Sequence, residues 1–300
     1  MILDVKNIKK TILLTGGTGF LGAALSKKLL QNGYKVIILK RSFSNSFRID
    51  ELQGDITTYD IDKVDLEKIF VENNSISVVV HCATDYGHTG SIYNVFETNL
   101  QFPVKLLSLS TKYDIPFFIN TDTFLDKRIS PYALSKTHLN EWMSSIVKDD
   151  CKIINVVVHH IYGPYDNEHK FIHKIAKQLL DNALDIKLTN GKQQRDFIYI
   201  DDVVDAFLCI IEKLDNFELD DYSFEVGTNI NTSLKDLVTT LKKISKNNFT
   251  HLDFGFLPYR DFEEMIPKVD TTNIFKLGWR PKVSLNQGLE IVVKTLNNRS

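Results

Sequence analysis

Cysteine is scarce in this chain of 300 residues, where Cys82, Cys151 and Cys209 are the three present. They are odd in number, far apart and set in apolar runs, and their spacing matches no metal site. The sequence therefore excludes a disulfide framework and predicts no metal centre. Three small hydrophobic residues in a reducing, cytoplasmic setting are the expectation.

Long apolar runs and an excess of charge are missing as well. The 36 Lys+Arg and 38 Asp+Glu residues give a net charge of −2. No apolar run approaches the roughly 20 residues of a membrane span. The polar segment from Met1 to Lys10 does not resemble a secretory signal. We expect no membrane partner and no nucleic-acid partner.

Short strands alternate with helices in the first half of the chain. Strands are predicted at 11–15, 34–39, 76–82, 115–120 and 153–158, with one more just before Gly54, and helices at 20–32, 92–112 and 131–148. Alternating strands and helices with right-handed crossovers predict an α/β fold, a Rossmann-like doubly wound parallel sheet.

The second half is more mixed. Helices are predicted at 168–182, 202–213, 233–246 and 284–297, and short strands at 186–189, 195–200 and 222–226. This pattern predicts a dinucleotide-binding domain over 1–164, rejoined by part of 195–228. A smaller mixed α/β lobe over 165–300 is expected to bind the substrate.

A glycine-rich turn joins the first strand to the first helix. The run is Thr15-Gly16-Gly17-Thr18-Gly19-Phe20-Leu21-Gly22. Glycines at Gly16, Gly19 and Gly22 allow a tight turn and a close backbone approach to a pyrophosphate, which then meets the helix N-terminus. The run, including Thr18, Phe20 and Leu21, is predicted to bind a dinucleotide; a mere tight turn is the alternative.

Basic residues follow the second strand, where NAD-specific proteins carry an acid. Lys40, Arg41 and Ser42 suit a 2′-phosphate, and this favours NADP(H) over NAD. A solvated basic turn is the alternative. Asp55 and Ile56, after the third strand candidate, are expected near the adenine, although Asp55 is equally able to cap a turn.

Tyr132 and Lys136 are four residues apart on a predicted helix and so share one face. A nearby ammonium is expected to lower the pKa of the phenol and make it a general acid or base. Thr121 follows an apolar strand about ten residues earlier and is expected to hydrogen-bond a substrate carbonyl. The alternative is a polar turn beside a surface Tyr–Lys pair.

These motifs resemble those of the extended short-chain dehydrogenase/reductase family, the NAD-dependent epimerase/dehydratase superfamily, over nearly the whole chain. Further matching stretches are His81-Cys82-Ala83-Thr84, Asn99, Tyr162-Gly163-Pro164 and Arg195-Asp196-Phe197. The resemblance implies cofactor contacts from Ala83, Thr84, Asn99, Tyr132, Lys136 and His160. It also implies that Arg195 and Arg260 contact a nucleotide diphosphate. His160 is equally credible as a structural residue at a strand end.

Within this family the chain is similar to the CDP-abequose synthase-like branch of nucleotide-sugar 4-ketoreductases. The 4,6-dehydratases carry Thr-Asp-Glu where this chain has Thr121-Asp122-Thr123, and threonine cannot replace the carboxylate base. The branch implies that Asp122, Thr123, Tyr86 and His88 line the sugar site, although Tyr86 and His88 also suit an ordinary loop.

The resemblance therefore implies an enzyme that reduces, with NADPH, the C4 ketone of an NDP-4-keto-6-deoxy or 3,6-dideoxy hexose, such as a CDP-linked sugar, for surface polysaccharide (O-antigen) synthesis. The alternatives are a 4-epimerase with bound NAD and a non-catalytic NADP-sensing protein. A homodimer is expected through the helices 92–112 and 131–148, whose outward faces would carry Phe96, Leu107 and Trp142.

Overall fold

The computed structural model describes residues 9–88, 90–146, 151–216 and 222–298. The chain divides into two compact units, Met1–Val157 with Phe207–Phe224 and Val158–Ala206 with Glu225–Ser300. The N-terminal segment 1–8 and the predicted end of a helix at 148 lie outside the described residues. The assignment of cofactor to one unit and substrate to the other stays a prediction.

Most strands lie close to where the sequence predicts them, but His160–Tyr162, Asn231–Ser233 and His251–Phe254 are strands that were not predicted. They are β1 (Thr11–Thr15), β2 (Lys35–Lys40), β3 (Thr57–Asp60), β4 (Ile76–His81), β5 (Phe117–Asp122), β6 (Lys152–Val158), β7 (His160–Tyr162), β8 (Asp185–Leu188), β9 (Gln194–Tyr199), β10 (Ser223–Val226), β11 (Asn231–Ser233) and β12 (His251–Phe254).

The predicted helices are present in the predicted order, and two short helices, Leu66–Glu72 and Thr272–Lys276, were not predicted. They are α1 (Phe20–Gln31), α2 (Leu66–Glu72), α3 (Ile92–Phe96), α4 (Phe102–Lys112), α5 (Pro131–Ile146), α6 (Phe171–Leu180), α7 (Ile200–Lys213), α8 (Leu234–Ile244), α9 (Thr272–Lys276) and α10 (Leu285–Asn297). A π-helical segment, Glu97–Gln101, lies between α3 and α4. The predicted helix over 92–112 is therefore present but contains a π turn.

A seven-stranded sheet runs in the order β3-β2-β1-β4-β5-β6-β10. The strands from β3 to β6 pair in parallel, as the Rossmann prediction requires. Its core includes Leu13, Ile37, Val79 and Phe118, each fully or almost fully buried. Parallel strands buried on both faces explain the continuous apolar runs of β1, β2 and β4. The fold class is confirmed.

The third strand was predicted wrongly. A 3₁₀ turn, Asp50–Leu52, occupies the predicted place, and β3 begins only at Thr57. Asp55 and Ile56 therefore precede the strand rather than follow it. The physical reason is that β3 is an edge strand with exposed or half-buried residues, so it lacks the apolar run that marks its neighbours.

The second unit has two small sheets, β11-β9-β7 and β12-β8, and three helices packed together, α6, α8 and α10. Ser233 caps α8 and accepts a hydrogen bond from the amide of Asp236. Ser284 and Gln287 form a capping box at the start of α10. The buried carboxylate of Asp196 accepts hydrogen bonds from Thr228 and Asn229 and so fixes the turn after β10.

Within the described part of the chain, no helix is long and apolar enough to cross a membrane. Phe96 and Trp142 are exposed, as predicted, on helices of the first unit. Leu107 is buried in the core of the first unit, so its predicted place on an outward face is wrong. Leu107 and Leu106 both pack in this core. The pattern of apolar residues in α4 did not show which of its leucines face the core and which face outward.

Candidate active site

The glycine turn is built so that side chains are excluded from it. Gly16 has a φ of +69°, and a Cβ there would lie 2.6 Å from the backbone nitrogen of Ala83. A Cβ on Gly22 would lie 2.3 Å from the carbonyl oxygen of Gly16. Helix α1 has neither a side-chain cap on its first amides nor an acid in its first turn. These amides suit a pyrophosphate, so the cradle fits a dinucleotide.

The predicted loop residues all lie in this cradle. Gly19 is the N-cap of α1, Phe20, Leu21 and Gly22 form its first turn, and Thr18 lies just before it. The side chain of Thr15, at the end of β1, accepts a hydrogen bond from the amide of Ala83. This bond ties the loop after β4 to the glycine turn.

The ends of β2 and β3 lie side by side, with Lys40 opposite Asp60 in the sheet register. The two side chains form an ion pair. The backbone amide and the hydroxyl of Ser42 both donate to Asp62, at 2.7 and 2.6 Å. The guanidinium of Arg41 lies 4.9 Å from the centre of the Phe43 ring. The predicted basic cluster thus has two carboxylates within it.

The adenine contact of Asp55 and Ile56 stays a prediction, but these residues do not follow a strand as expected. Ligands of such sheets bind at the carboxyl ends of the strands. Asp60 ends β3 there, whereas Asp55 and Ile56 precede it. Asp60 and Ile61 are therefore further candidates for the adenine side of the site. The sequence did not indicate them because the predicted strand lies too early.

Asn99 holds the loop after β4 in place. Its amide oxygen accepts from the backbone of Asp85 at 2.7 Å and from Thr84, and its amide nitrogen donates to Asp85 and to Ser135 at 3.0 Å. An amide side chain has two donors and two acceptor lone pairs, so its capacity is used. Asn99 thus positions Thr84 and helix α5, and its direct contact with the cofactor stays a prediction.

Lys136 lies beneath the predicted catalytic threonine. Its ammonium donates to the backbone carbonyl of Thr121 at 2.7 Å. Burial lowers the pKa of Lys136, while the charge of Asp122 opposes this shift. The hydroxyl of Thr121 lies 3.3 Å from the sulfur of Cys82, a neighbour that sequence reasoning did not assign. Burial raises the pKa of the Cys82 thiol to about 11, so the thiol is protonated.

Tyr132 is on the same helix as Lys136, but its environment differs from the expectation. Burial raises the pKa of its phenol above the ordinary value, and nearby Tyr86 adds to the shift. A hydrogen bond with Thr123 opposes it. The expected lowering by Lys136 is therefore wrong, because that ammonium is directed at Thr121. The phenol is a proton donor at neutral pH.

Two further predicted residues lie on this side of the site. The ring of Tyr86 packs 4.8 Å from the ring of Tyr132, and His88 stacks on Tyr86 at 5.9 Å. Tyr86 is partly exposed, so it forms one wall beside the phenol. The structure thus brings Thr121, Tyr86, Tyr132 and Lys136 to one edge of the sheet.

Asp122 is buried behind this cluster. One of its carboxylate oxygens accepts hydrogen bonds from Asn140 at 2.6 Å and from Asn155 at 2.8 Å. This oxygen is held by two amides and faces the protein interior. Asp122 is therefore placed as a counter-charge to Lys136, and its contact with the sugar stays a prediction. The two asparagines were missed because they come from a different helix and strand.

A separate cavity of about 670 Å³ lies within the second unit. His160, Arg195 and Arg260 line it, together with the basic Lys174 and Lys187. His160, predicted to bind the cofactor, is thus grouped with the predicted substrate arginines. Burial lowers its pKa well below the usual value, so the ring is neutral. A cavity with several cations suits an anionic ligand.

Glu263 joins the two predicted arginines in this cavity. Its carboxylate pairs with Arg195 through one oxygen and with Arg260 at 3.0 Å through the other. The side chains of Arg195 and Glu263 are each only 6% exposed, and burial lowers the pKa of Arg195. Glu263 was not predicted from the sequence, although an acid three residues after Arg260 is a spacing at which the two side chains can form an ion pair. Among the described residues, no cluster suits a metal ion.

A sequence model described as the NAD dependent epimerase/dehydratase family matches residues 12–227. The chain belongs to this family. Its relatives include the CDP-abequose synthase of Salmonella typhimurium (strain LT2), 32% identical over 96% of this chain and 99% of the relative. The CDP-abequose synthase of Salmonella muenchen is 34% identical, covering 95% and 97%. The predicted resemblance is confirmed.

Solved structures of the family share the fold. UDP-glucose 4-epimerase of Thermotoga maritima, with UDP-glucose, has a TM-score of 0.83 at 24% identity, covering 96% of this chain and 99% of that one. UDP-glucuronic acid 4-epimerase of Bacillus cereus, in complex with UDP-glucuronic acid and NAD, has 0.82 at 23%, covering 97% and 100%. At these identities the epimerase/dehydratase likeness concerns the fold. The Bacillus cereus structure contains both a nucleotide sugar and NAD.

Proposed function

We propose that this protein reduces the C4 ketone of an NDP-4-keto-6-deoxy or 3,6-dideoxy hexose, such as a CDP-linked sugar, with NADPH. The relatives named CDP-abequose synthase, matched over almost the full length, support a nucleotide-sugar reaction of this kind. The proposal rests on the cluster of Thr121, Tyr132 and Lys136 in the first unit.

The observation that favours reduction over dehydration is that neither Thr123 nor Asp122 offers a carboxylate base to the sugar. Dehydration needs a carboxylate base beside the sugar, and Thr123 stands where the 4,6-dehydratases carry glutamate. Thr123 instead lowers the pKa of the Tyr132 phenol, and its hydroxyl oxygen accepts a hydrogen bond from the amide of Leu125 at 3.3 Å. The adjacent Asp122 is held by the amides of Asn140 and Asn155. Neither side chain supports the removal of a proton from the sugar, whereas the donor for a ketone oxygen is in place.

Ketone reduction needs a hydride at carbon and a proton at oxygen. A bound reduced nicotinamide would supply the hydride. Tyr132 gives its proton to the oxygen as negative charge develops there, because its raised pKa keeps the phenol protonated. The hydroxyl of Thr121 donates a hydrogen bond to the same oxygen. Lys136 holds Thr121 through its carbonyl and is expected to reach the nicotinamide ribose.

The second-unit cavity is the proposed site of the nucleotide diphosphate. Arg195 and Arg260 present guanidinium groups that suit a dianionic diphosphate. Glu263 holds both of them in the absence of ligand. Binding then requires that the diphosphate share or displace this carboxylate.

NADP(H) is the proposed cofactor, supported by Lys40, Arg41 and Ser42 after β2. We also propose a homodimer through the exposed faces of α3 and α5, where Tyr93, Phe96 and Trp142 are exposed. A cytoplasmic location and a role in surface polysaccharide synthesis stay predictions from the sequence.

The test is loss of NADPH absorbance with purified protein and a panel of CDP- and dTDP-linked 4-keto-6-deoxy and 3,6-dideoxy sugars. Stoichiometric loss with one substrate, and product NMR with a new hydroxyl at C4, is expected. The Thr123→Glu variant is the matched comparison, because it restores the dehydratase pattern while Thr121, Tyr132 and Lys136 keep their own side chains.

The alternative is a 4-epimerase with bound NAD. The observation that favours it is the pair of carboxylates near the end of β2, Asp60 and Asp62, because NAD-specific proteins carry an acid there. An epimerase would interconvert NDP-hexoses without added cofactor and would leave NADPH unchanged. A protein that binds NADPH but converts no sugar in either assay would instead be a non-catalytic NADP sensor.

A further inference from the structure

Ser42, which is expected to bind a 2′-phosphate, donates both of its hydrogen bonds to a carboxylate. Its amide donates to one oxygen of Asp62 at 2.7 Å and its hydroxyl to the other at 2.6 Å. Both donors that a phosphate would use are thus directed at one acid. These two bonds lower the pKa of Asp62, so it is charged at neutral pH.

The neighbouring cation is also engaged. Lys40 pairs with Asp60, which lies opposite it at the carboxyl end of the sheet. Arg41 extends over the ring of Phe43. The end of β2 therefore carries the cations expected of an NADP site. The end of β3 and the loop after it place the carboxylates of Asp60 and Asp62 beside them. A sequence comparison limited to the residues after β2 does not detect these acids.

We propose that Asp62 is a specificity-determining residue that restrains binding of a 2′-phosphate at this site. Its carboxylate competes with that phosphate for Ser42 and repels its negative charge. A 2′-hydroxyl, in contrast, is a neutral donor that the same carboxylate accepts. The charge of Asp62 thereby limits the preference for NADP(H), the proposed cofactor, over NAD(H). This inference rests on the proposed cofactor site.

The test measures binding of two fragments, adenosine 2′,5′-bisphosphate and 5′-AMP, by calorimetry at low salt. The variant is Asp62→Asn, which removes the charge but keeps an oxygen for Ser42. Like-charge repulsion near a protein surface amounts to about a tenfold change in affinity. We expect Asp62→Asn to raise the affinity for the bisphosphate about tenfold and to leave that for 5′-AMP within about twofold.

A matched control is Glu141→Gln, which makes the same charge change at an exposed position of α5. It should leave the ratio of the two affinities unchanged. A ratio that stays the same or falls in Asp62→Asn overturns the role of Asp62. Because Asp62 is exposed, the variant is expected to fold, and an unchanged unfolding temperature checks this.

The two proposals fail in different ways. If the wild-type protein binds neither fragment, the cofactor site itself is wrong, and the inference falls with it. If the protein binds both fragments and oxidises NADPH but the ratio does not respond to Asp62→Asn, only the role of Asp62 is refuted.

Discussion

Replacing Gly22 by alanine tests the cradle of the dinucleotide directly. The new Cβ would lie 2.3 Å from the carbonyl oxygen of Gly16 and 2.7 Å from its carbonyl carbon. Real Cβ contacts are essentially never shorter than 3.0 Å, so the two segments must separate by at least 3.0 − 2.3 = 0.7 Å. Both are backbone, and neither can rotate away.

The expected cost has two parts. Overpacking of this kind destabilises by about 1–3 kcal/mol. For a chain of this size we expect the unfolding temperature to fall by roughly 2–12 °C, at about 2–4 °C per kcal/mol. The larger effect falls on turnover with NADPH, because a shift near 1 Å in the position of a reactant lowers a rate about a hundredfold; the affinity for NADPH should fall as well, since the cradle no longer fits the pyrophosphate.

Circular dichroism measures the unfolding temperature, and calorimetry with NADPH measures the affinity. Gly33→Ala is one control, since Gly33 has a φ of +82° but nothing within 4 Å of its Cβ. It should lower stability by about 1–2 kcal/mol and leave affinity unchanged. Gly54→Ala, with open space and no positive φ, should change neither. Wild-type affinity in Gly22→Ala would refute the reasoning.

Four other outcomes follow from the structure. Tyr132→Phe should lower turnover about 10²–10⁴-fold without changing the unfolding temperature, and retention of most turnover would contradict the proton-donor role. The raised pKa of Tyr132 should keep kcat for reduction constant from about pH 6 to about pH 9, and a fall centred near neutral pH would contradict this. Asp196→Asn removes charge from a carboxylate with three hydrogen bonds of 2.7–2.9 Å, and urea unfolding should show a loss of about 1.5–3 kcal/mol; an unchanged midpoint would be inconsistent. Burial lowers the pKa of His81 well below its usual value. Below about pH 6.5 the imidazole is therefore protonated in the unfolded chain but stays neutral in the folded one. Stability should fall with acidification, and less so in His81→Asn; an equal fall would exclude His81 as the cause.

The fold was predictable wherever burial leaves a sequence pattern. Strands β1, β2 and β4 are buried and apolar, and the glycines follow β1 directly, so the order of elements was clear. Strand β3 was misplaced because an exposed edge strand carries no such pattern. Leu107 was wrongly predicted to face outward, because its burial depends on which side of α4 packs against the core.

The candidate site was predictable residue by residue but not in its contacts. The spacing of Tyr132 and Lys136 put them on one helix face, yet the ammonium is directed at the carbonyl of Thr121. That contact depends on how α5 approaches β5, which spacing does not encode. The carboxylates of Asp62 and Glu263 were missed for the same reason, since each reaches its partners through tertiary structure.

Glu263 also bears on how quickly an anionic ligand reaches its cavity. Two arginines alone would attract a diphosphate over a distance and make its association rate strongly dependent on ionic strength. The carboxylate between Arg195 and Arg260 cancels part of that field before the ligand arrives. The encounter should therefore be slower and less salt-dependent than the two arginines alone would make it, with Lys174 and Lys187 supplying the remaining attraction. For the diphosphate proposed above, selectivity would then lie in the dissociation rate, after the carboxylate has released the arginines.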